Sequence, residues 1–293
     1  MPGSPHFEAP TALQYFSSLV AEDASLSVLE AAVSIAQDEY PGLDTQSVLS
    51  DIDALADKLK RRIASDMAPL QRVRQLNHYF FNELGFGGNV NNYYDPRNSY
   101  VHEVLLRRRG IPITLAIVYV ELATQIKLKA QGVSFPGHFL VKLSVTQAAQ
   151  VGDVVIDPFT GQSLSGEELE DRLVPYRRSQ ALMGEAEAPL SYFLRAASAR
   201  ETLARMLRNL KEIHRTDEDW GRLLPVMDRL VVLLPEALEE RRDRGLAWAE
   251  SGHPIEAIAD LDMYLRQRPH ADDRFALVER LAHLRRDLPP RLH

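Results

Sequence analysis

Over the first third of the chain, apolar residues recur at steps of three and four, the rhythm of helices that bury one face. TALQYFSSLVA (11–21) follows it, and SLSVLEAAVSIAQDEYPG (25–42) repeats it, with Ser27 placed to cap and Glu30 three residues on. Pro41-Gly42 ends that segment. In DTQSVLSDIDALADKLKRRI (44–63), Val48, Ile52, Leu55 and Leu59 form one stripe, which predicts a third helix. A fourth is predicted over APLQRVRQLNHYFFNEL (68–84), whose Pro69 is tolerated in a first turn.

The rhythm breaks at GFGGNVNNYYDPRNSY (85–100), a run of turn formers. Asp95-Pro96 predicts a turn there, and Asn98 and Ser99 are placed to cap a short helix over 100–108 that stops at Gly110. Pro112 opens PITLAIVYVELATQIKL, apolar nearly all round and so expected to be buried. The period then changes to two. In HFLVKLSV (138–145), Phe139, Val141, Leu143 and Val145 share a face, which leaves His138, Leu140 and Lys142 on the other. DVVIDPF (153–159) reads as a partner strand stopped by Pro158.

From about residue 190 the pattern is helical again, and it repeats. GLAWAESGHPIEAIADLDMYLRQRP places Gly245, Trp248, Ala257, Leu261 and Pro269 at tetratricopeptide offsets. Pro235 precedes Pro269 by 34 residues, one repeat length. The earlier copy, LKEIHRTDEDWGRLLPVMDRLVVLLP, keeps the helix pair and closing proline without the small residues, and a capping helix is expected over 272–286. Trp220, Trp248 and Tyr264 are read as packing between repeat helices.

Composition narrows the chemistry. The chain has no cysteine, which removes disulfides, thiolate metal sites and thiol catalysis together, and fits a cytoplasmic protein. A net charge of -7 argues against nucleic acid as the main partner. No apolar run is long enough for a membrane helix. MPGSPHFEAP has neither a basic nor an apolar leader region, so no signal peptide is expected. No cofactor is predicted. No metal site is predicted either, because His102 and Glu103 diverge on a helix and no His-Glu-x-x-His spacing occurs.

One order of elements is suggestive: a buried helix, then a strand carrying His138, then a strand carrying Asp157. A base oriented by an acid beside a helix N-terminus is the frame of nucleophilic catalysis. The segments YYDPRNSYVHEVLLRRRGIPITLAIVYVELA, VSFPGHFLVKL and VIDPFTGQSL, with the repeat pattern behind them, closely resemble the bacterial SirB-type proteins, which join a transglutaminase-like domain to tetratricopeptide repeats. The likeness covers roughly residues 40 to 270. It implies an α+β fold: N-terminal helices packed on a transglutaminase-like (papain-like) core with a small antiparallel sheet, followed by an all-α tetratricopeptide-like tail. The expected division is 1–185 and 186–293.

The resemblance also implies a Cys-His-Asp triad, with His138 and Asp157 matching its second and third members. At the cysteine position stands Pro112. Thr114 is the nearest hydroxyl on that helix, but two helical residues turn a side chain by about 200°, away from where the thiol would project. A water activated by His138 is another route. So is no catalysis at all, with the His-Asp pair a structural remnant or the holder of a ligand amide in a cleft lined by Tyr93, Tyr94, Arg97, Asn98, Pro112 and His138. The expectation is a non-catalytic interaction or regulatory module with a protein or peptide partner, reached through the repeats or the cleft. The alternative is a hydrolase or acyl transferase without a cysteine.

Overall fold

A computed structural model describes residues 10–147, 150–182 and 188–287. They form two compact units, Asp23–Met206 and the combination of Met1–Glu22 with Leu207–His293. The division expected at 185/186 lies outside the described residues, as does most of MPGSPHFEAP.

In the Asp23–Met206 unit, α2 (Val28–Ser34) starts at Ser27, whose hydroxyl accepts from the Glu30 amide at 3.3 Å, and passes into a 3₁₀ turn over Ile35–Gln37. Helix α3 (Thr45–Lys60) buries the predicted stripe of Val48, Ile52, Leu55 and Leu59. Helix α4 (Pro69–Asn77) starts on its proline and continues as a wider π-helical turn over His78–Glu83. There Phe80 stacks on Phe86 at 4.4 Å and meets Phe81 and Tyr119 edge-on at 5.0 and 5.3 Å. The short helix α5 (Val101–Arg107) ends on Arg108 in the left-handed region (φ 58°), not on Gly110. Gly110 lies instead in β2 (Arg109–Gly110), paired in parallel with β1 (Gly87–Gly88). Its missing side chain leaves room for Val104, which a Cβ would approach to 3.0 Å. Helix α6 (Pro112–Gln125) is buried on nearly every face, as its composition requires.

The sheet has four antiparallel strands in the order β3 (Lys129–Phe135), β4 (His138–Gln147), β5 (Gln150–Ile156) and β6 (Ser163–Leu164). β4 and β5 are the expected pair. β3 and β6 escaped the sequence reading because KAQGVSF mixes polar residues into one face and SL is two residues long. Pro136-Gly137 closes the β3–β4 hairpin, with Gly137 at φ +68°. Val133, Phe135 and Leu140 join the apolar layer under α7 (Gly166–Leu182) and α8 (Leu190–Phe193), while α6 packs on the β3–β4 ribbon beside Phe139.

The second unit is helical. α1 (Ala12–Leu19) begins in a full capping box between Thr11 and Gln14 and packs on α10 (Trp220–Leu233). The last part of α9 (Ala199–Thr216), α11 (Leu238–Glu250), α12 (Pro254–Gln267) and α13 (Arg274–Asp287) complete it. Ion pairs bridge the helices here: Arg244 reaches Asp260 at 2.7 Å and Asp228 at 2.8 Å, and Lys211 reaches Glu240 and Asp243 at 2.7 Å. At Gly245 α11 and α12 approach closely, since a Cβ would lie 2.9 Å from Leu261 Cγ and 3.1 Å from Asp260 Cβ. Gly245→Val should therefore overpack this crossing and cost about 1–3 kcal/mol. Thermal melting followed by tryptophan fluorescence reads this directly, because Trp220 and Trp248 both lie in this unit. An unchanged melting temperature would mean that Leu261 gives way freely.

Candidate functional site

Asp157 follows the last residue of β5, where Pro158 ends the strand. The sequence DPFTG then folds back on itself. The Gly161 amide donates to the Asp157 carbonyl at 2.8 Å, the Asp157 amide donates to the Gln162 carbonyl at 2.9 Å, and Gly161 takes φ +77°. Asp157 Oδ1 accepts from the Phe159 amide at 2.9 Å, so the carboxylate fastens its own turn. His138, first residue of β4, lies with Nε2 2.8 Å from the same oxygen. From the other side Arg172 on α7 donates through Nη1 to Oδ2 at 3.1 Å. The carboxylate is thus buried, with 1% of the residue exposed, and accepts on both oxygens.

Burial by itself works against the ionised form of Asp157. The His138 hydrogen bond and charge, the Phe159 amide and Arg172 outweigh it and hold the carboxyl down to about 2. With Asp157 ionised, Nε2 of His138 carries the proton, and Nδ1 is the nitrogen left to act as base or acceptor. The sign of the linked pH effect follows. A carboxyl whose folded value lies below its ordinary 3.8 stabilises the fold above that value and loses this contribution as pH falls. Stability should drop by about 2 kcal/mol between roughly pH 5 and pH 2 from this group alone. Urea titrations at pH 6 and pH 3 on the wild type and Asp157→Asn check this; equal pH slopes for the two proteins would refute it.

The loop 85–100 docks against this turn. Gly88 donates its amide to the Phe159 carbonyl at 2.8 Å, and a Cβ on Gly88 would overlap the Phe159 ring. Tyr93 lies beside that ring at 5.9 Å, and His138 meets it edge-on at 6.5 Å. Tyr93 and Tyr94 are exposed. Arg97 closes on Asp95 with Nε at 3.1 Å and Nη2 at 2.8 Å, which commits its fork to the turn. Asn98 corrects the expectation most clearly. It is fully buried, accepts from Asn89 at 3.0 Å and donates to the Asn92 and Tyr93 carbonyls at 2.7 and 3.1 Å. It fastens the loop, and neither it nor Ser99 caps α5, whose first turn has no side-chain cap.

At the start of α6 stands Pro112, buried, with Ile113 beside it. Thr114 is fully buried and its hydroxyl has no hydrogen-bond partner. Among the described residues His138 bonds only to Asp157, so the structure brings together His138, Asp157 and the aromatic pair Tyr93–Phe159, and does not bring Thr114 into hydrogen-bond reach of the imidazole. Sequence reading missed Arg172. Its signal was the SGEE segment: Ser165 and Glu168 cap each other at 2.7 and 3.2 Å, which sets the start of α7 and brings Arg172 round within its second turn. In the RRRG run (107–110), Arg107 and Arg108 are half-buried and Arg109 is exposed. Arg107 leans on Asp95 at 3.4 Å, and Arg108 lies over the Phe86 ring at 4.6 Å.

Among the described residues no group of acidic and histidine side chains could hold a metal ion, and no helix is long and apolar enough to cross a membrane. Residues 46–208 match the transglutaminase-like superfamily model, and residues 210–282 match a tetratricopeptide repeat model. The chain is 39% identical to a UPF0162 protein of Xylella fastidiosa strain Temecula1, over 85% of this chain and 86% of that one. It is 28% identical to a UPF0162 protein of Pseudomonas aeruginosa over 88% and 91%. A human protein, F-box only protein 21, shares 28% identity over 58% of this chain and 26% of its own length. No solved structure matches. With a match to the core model over more than half its length and a UPF0162 relative at this identity, the chain belongs to the UPF0162 family, the SirB-type proteins that carry a transglutaminase-like domain and tetratricopeptide repeats.

Proposed function

We propose that this protein is a non-catalytic member of the transglutaminase-like superfamily, acting as a protein-interaction or regulatory module. The observation that carries the reading is the start of α6. A nucleophile is needed there, and the position holds a buried proline with no attacking atom. Thr114 offers no substitute, because its hydroxyl is buried without a bond to any base. His138 and Asp157 then serve as a clamp between β4, the DPFTG turn and α7. Tetratricopeptide repeats generally mediate protein–protein contact, which supports the interaction role.

One observation favours a second reading, a hydrolase or acyl transferase using activated water. The His138–Asp157 pair keeps the geometry that makes Nδ1 a base. Turnover of activated esters and glutamine amides, compared among wild type, His138→Ala and Thr114→Val, separates the two. The non-catalytic reading expects the same background rate from all three proteins. It also expects Thr114→Val to be about 1 kcal/mol more stable, since an unbonded buried hydroxyl is removed. A wild-type rate that falls tenfold or more in His138→Ala would sink it.

A further inference from the structure

Beside the tip of the β3–β4 hairpin lies a cleft of about 420 Å³, lined by Ser134, Phe135, Gly137, Tyr176, Tyr192 and Arg205 among others. Arg205 is half-buried. Its Nη1 donates to Ser134 Oγ at 2.8 Å and to the Phe135 carbonyl at 3.0 Å, both neutral acceptors. Among the described residues Nε and Nη2 have no acceptor, and no carboxylate comes within ion-pair distance. Other arginines of this unit do better: Arg62, Arg97, Arg107, Arg172, Arg177 and Arg195 all reach an acid. Burial pulls the Arg205 guanidinium below its ordinary value, with the nearby Tyr93 hydroxyl working the other way. A sheltered cation without a counter-charge is unfavourable until an anion arrives.

Three features specify that anion. The unused Nε–Nη2 edge is the planar fork that takes a carboxylate side-on through two parallel hydrogen bonds. The other cation of the cleft, Arg195, is already neutralised by Glu201 at 2.7 Å, so Arg205 sets the local charge. Tyr176 and Tyr192 stand exposed and both meet Phe193 edge-on, at 5.6 and 5.4 Å, forming an aromatic wall beside the charge. The backbone adds a fourth feature. β3 is an edge strand whose Gly132 carbonyl faces outward and accepts from Ala197 at 2.9 Å. Alternation along the ladder turns the backbone of Ser134 the same way, next to Arg205, where an extended chain could pair with it.

We propose that this cleft binds a carboxylate carried by an extended peptide, with the Arg205 fork on the carboxylate and the neighbouring apolar side chain against Tyr176 and Tyr192. The proposal deepens the interaction-module reading and rests on it for the peptide nature of the partner. The carboxylate can come from a chain terminus or from a Glu or Asp side chain, and one experiment distinguishes them. Full-length protein is titrated with three peptides bearing a neutral fluorophore, followed by anisotropy. They are Gly-Val-Tyr-Glu-Val-amide, Gly-Val-Tyr-Gln-Val with a free terminus, and Gly-Val-Tyr-Gln-Val-amide.

The expected result is that one of the first two binds at least about tenfold tighter than the third, as a fork–carboxylate pair supplies. Arg205→Lys, which keeps the charge and can still reach Ser134 and Phe135, should lose most of that preference. Tyr192→Ala, remote from the hairpin bonds, should weaken the preferred peptide about fivefold or more. Equal binding of all three peptides overturns the proposal, as does a preference that survives unchanged in both variants. Mass spectrometry of the recovered peptides separates this from the functional reading. A preferred peptide recovered cleaved leaves the carboxylate site standing and removes the non-catalytic role. Equal binding with intact peptides removes the site alone.

Discussion

Asp157→Ala should lower the stability of the Asp23–Met206 unit by about 3 kcal/mol, one of the two largest losses expected from a single substitution in this chain. The carboxylate accepts from His138, Arg172 and the Phe159 amide within a site that is almost closed to water. Removing it leaves three donors, the Arg172 guanidinium among them, without their acceptor. Hydrogen exchange on the β4, β5 and α7 amides is the direct measurement, with roughly a hundredfold faster exchange where protection depends on this unit. Asp157→Asn keeps an oxygen for the Phe159 amide and should lose less. A change under 0.5 kcal/mol in Asp157→Ala would mean that the pair is dispensable to the fold, and the clamp role would fall with it.

Phe80→Ala should be of similar or greater size, about 3–5 kcal/mol. The ring is fully buried, stacks on Phe86 and meets Phe81 and Tyr119 edge-on. Its neighbour Phe81 lies against Gly161, where a Cβ would approach the ring to 3.0 Å, so the aromatic cluster backs the DPFTG turn as well as α6. Truncating Phe80 opens a cavity and also loosens what supports Asp157. Urea unfolding should show the loss, and Phe80→Leu should recover more than half of it. A loss below 1 kcal/mol would indicate that Phe86 and Tyr119 collapse into the space.

Much of this was legible from periodicity. The stripe of α3, the all-round apolar α6, the alternation in β4 and the 34-residue register of the repeats each depend on local burial, which sequence records directly. What was illegible depends on distant partners. β3 is read as a strand only once β4 and α6 cover it. Asn98 reads as a cap because Asn favours caps, yet it is drawn inward by Asn89 and two carbonyls of its own loop. The two-thirds triad of His138 and Asp157 was legible as residue types in order, and their contact at 2.8 Å was expected from them. Arg172 was not: the SGEE box marks where α7 starts, but an arginine on a polar helix gives no sign of which carboxylate it will meet. Arg205 was missed for the same reason: in sequence, nothing marks a cation that finds no acid.

The pairing of α1 with α10 has a consequence for how the chain is made. About 200 residues separate the end of α1 from the start of α10. At translation rates of roughly 5–20 residues per second, α1 waits some 10–40 s for its partner to be synthesised. Phe16 and Val20, both closed to solvent in the finished protein, stay uncovered through that interval. The Asp23–Met206 unit has all its residues available before then, so it can close first while the nascent N-terminal helix remains open to chaperones. The repeat unit, although it owns α1, is completed only after the whole Asp23–Met206 unit has been synthesised.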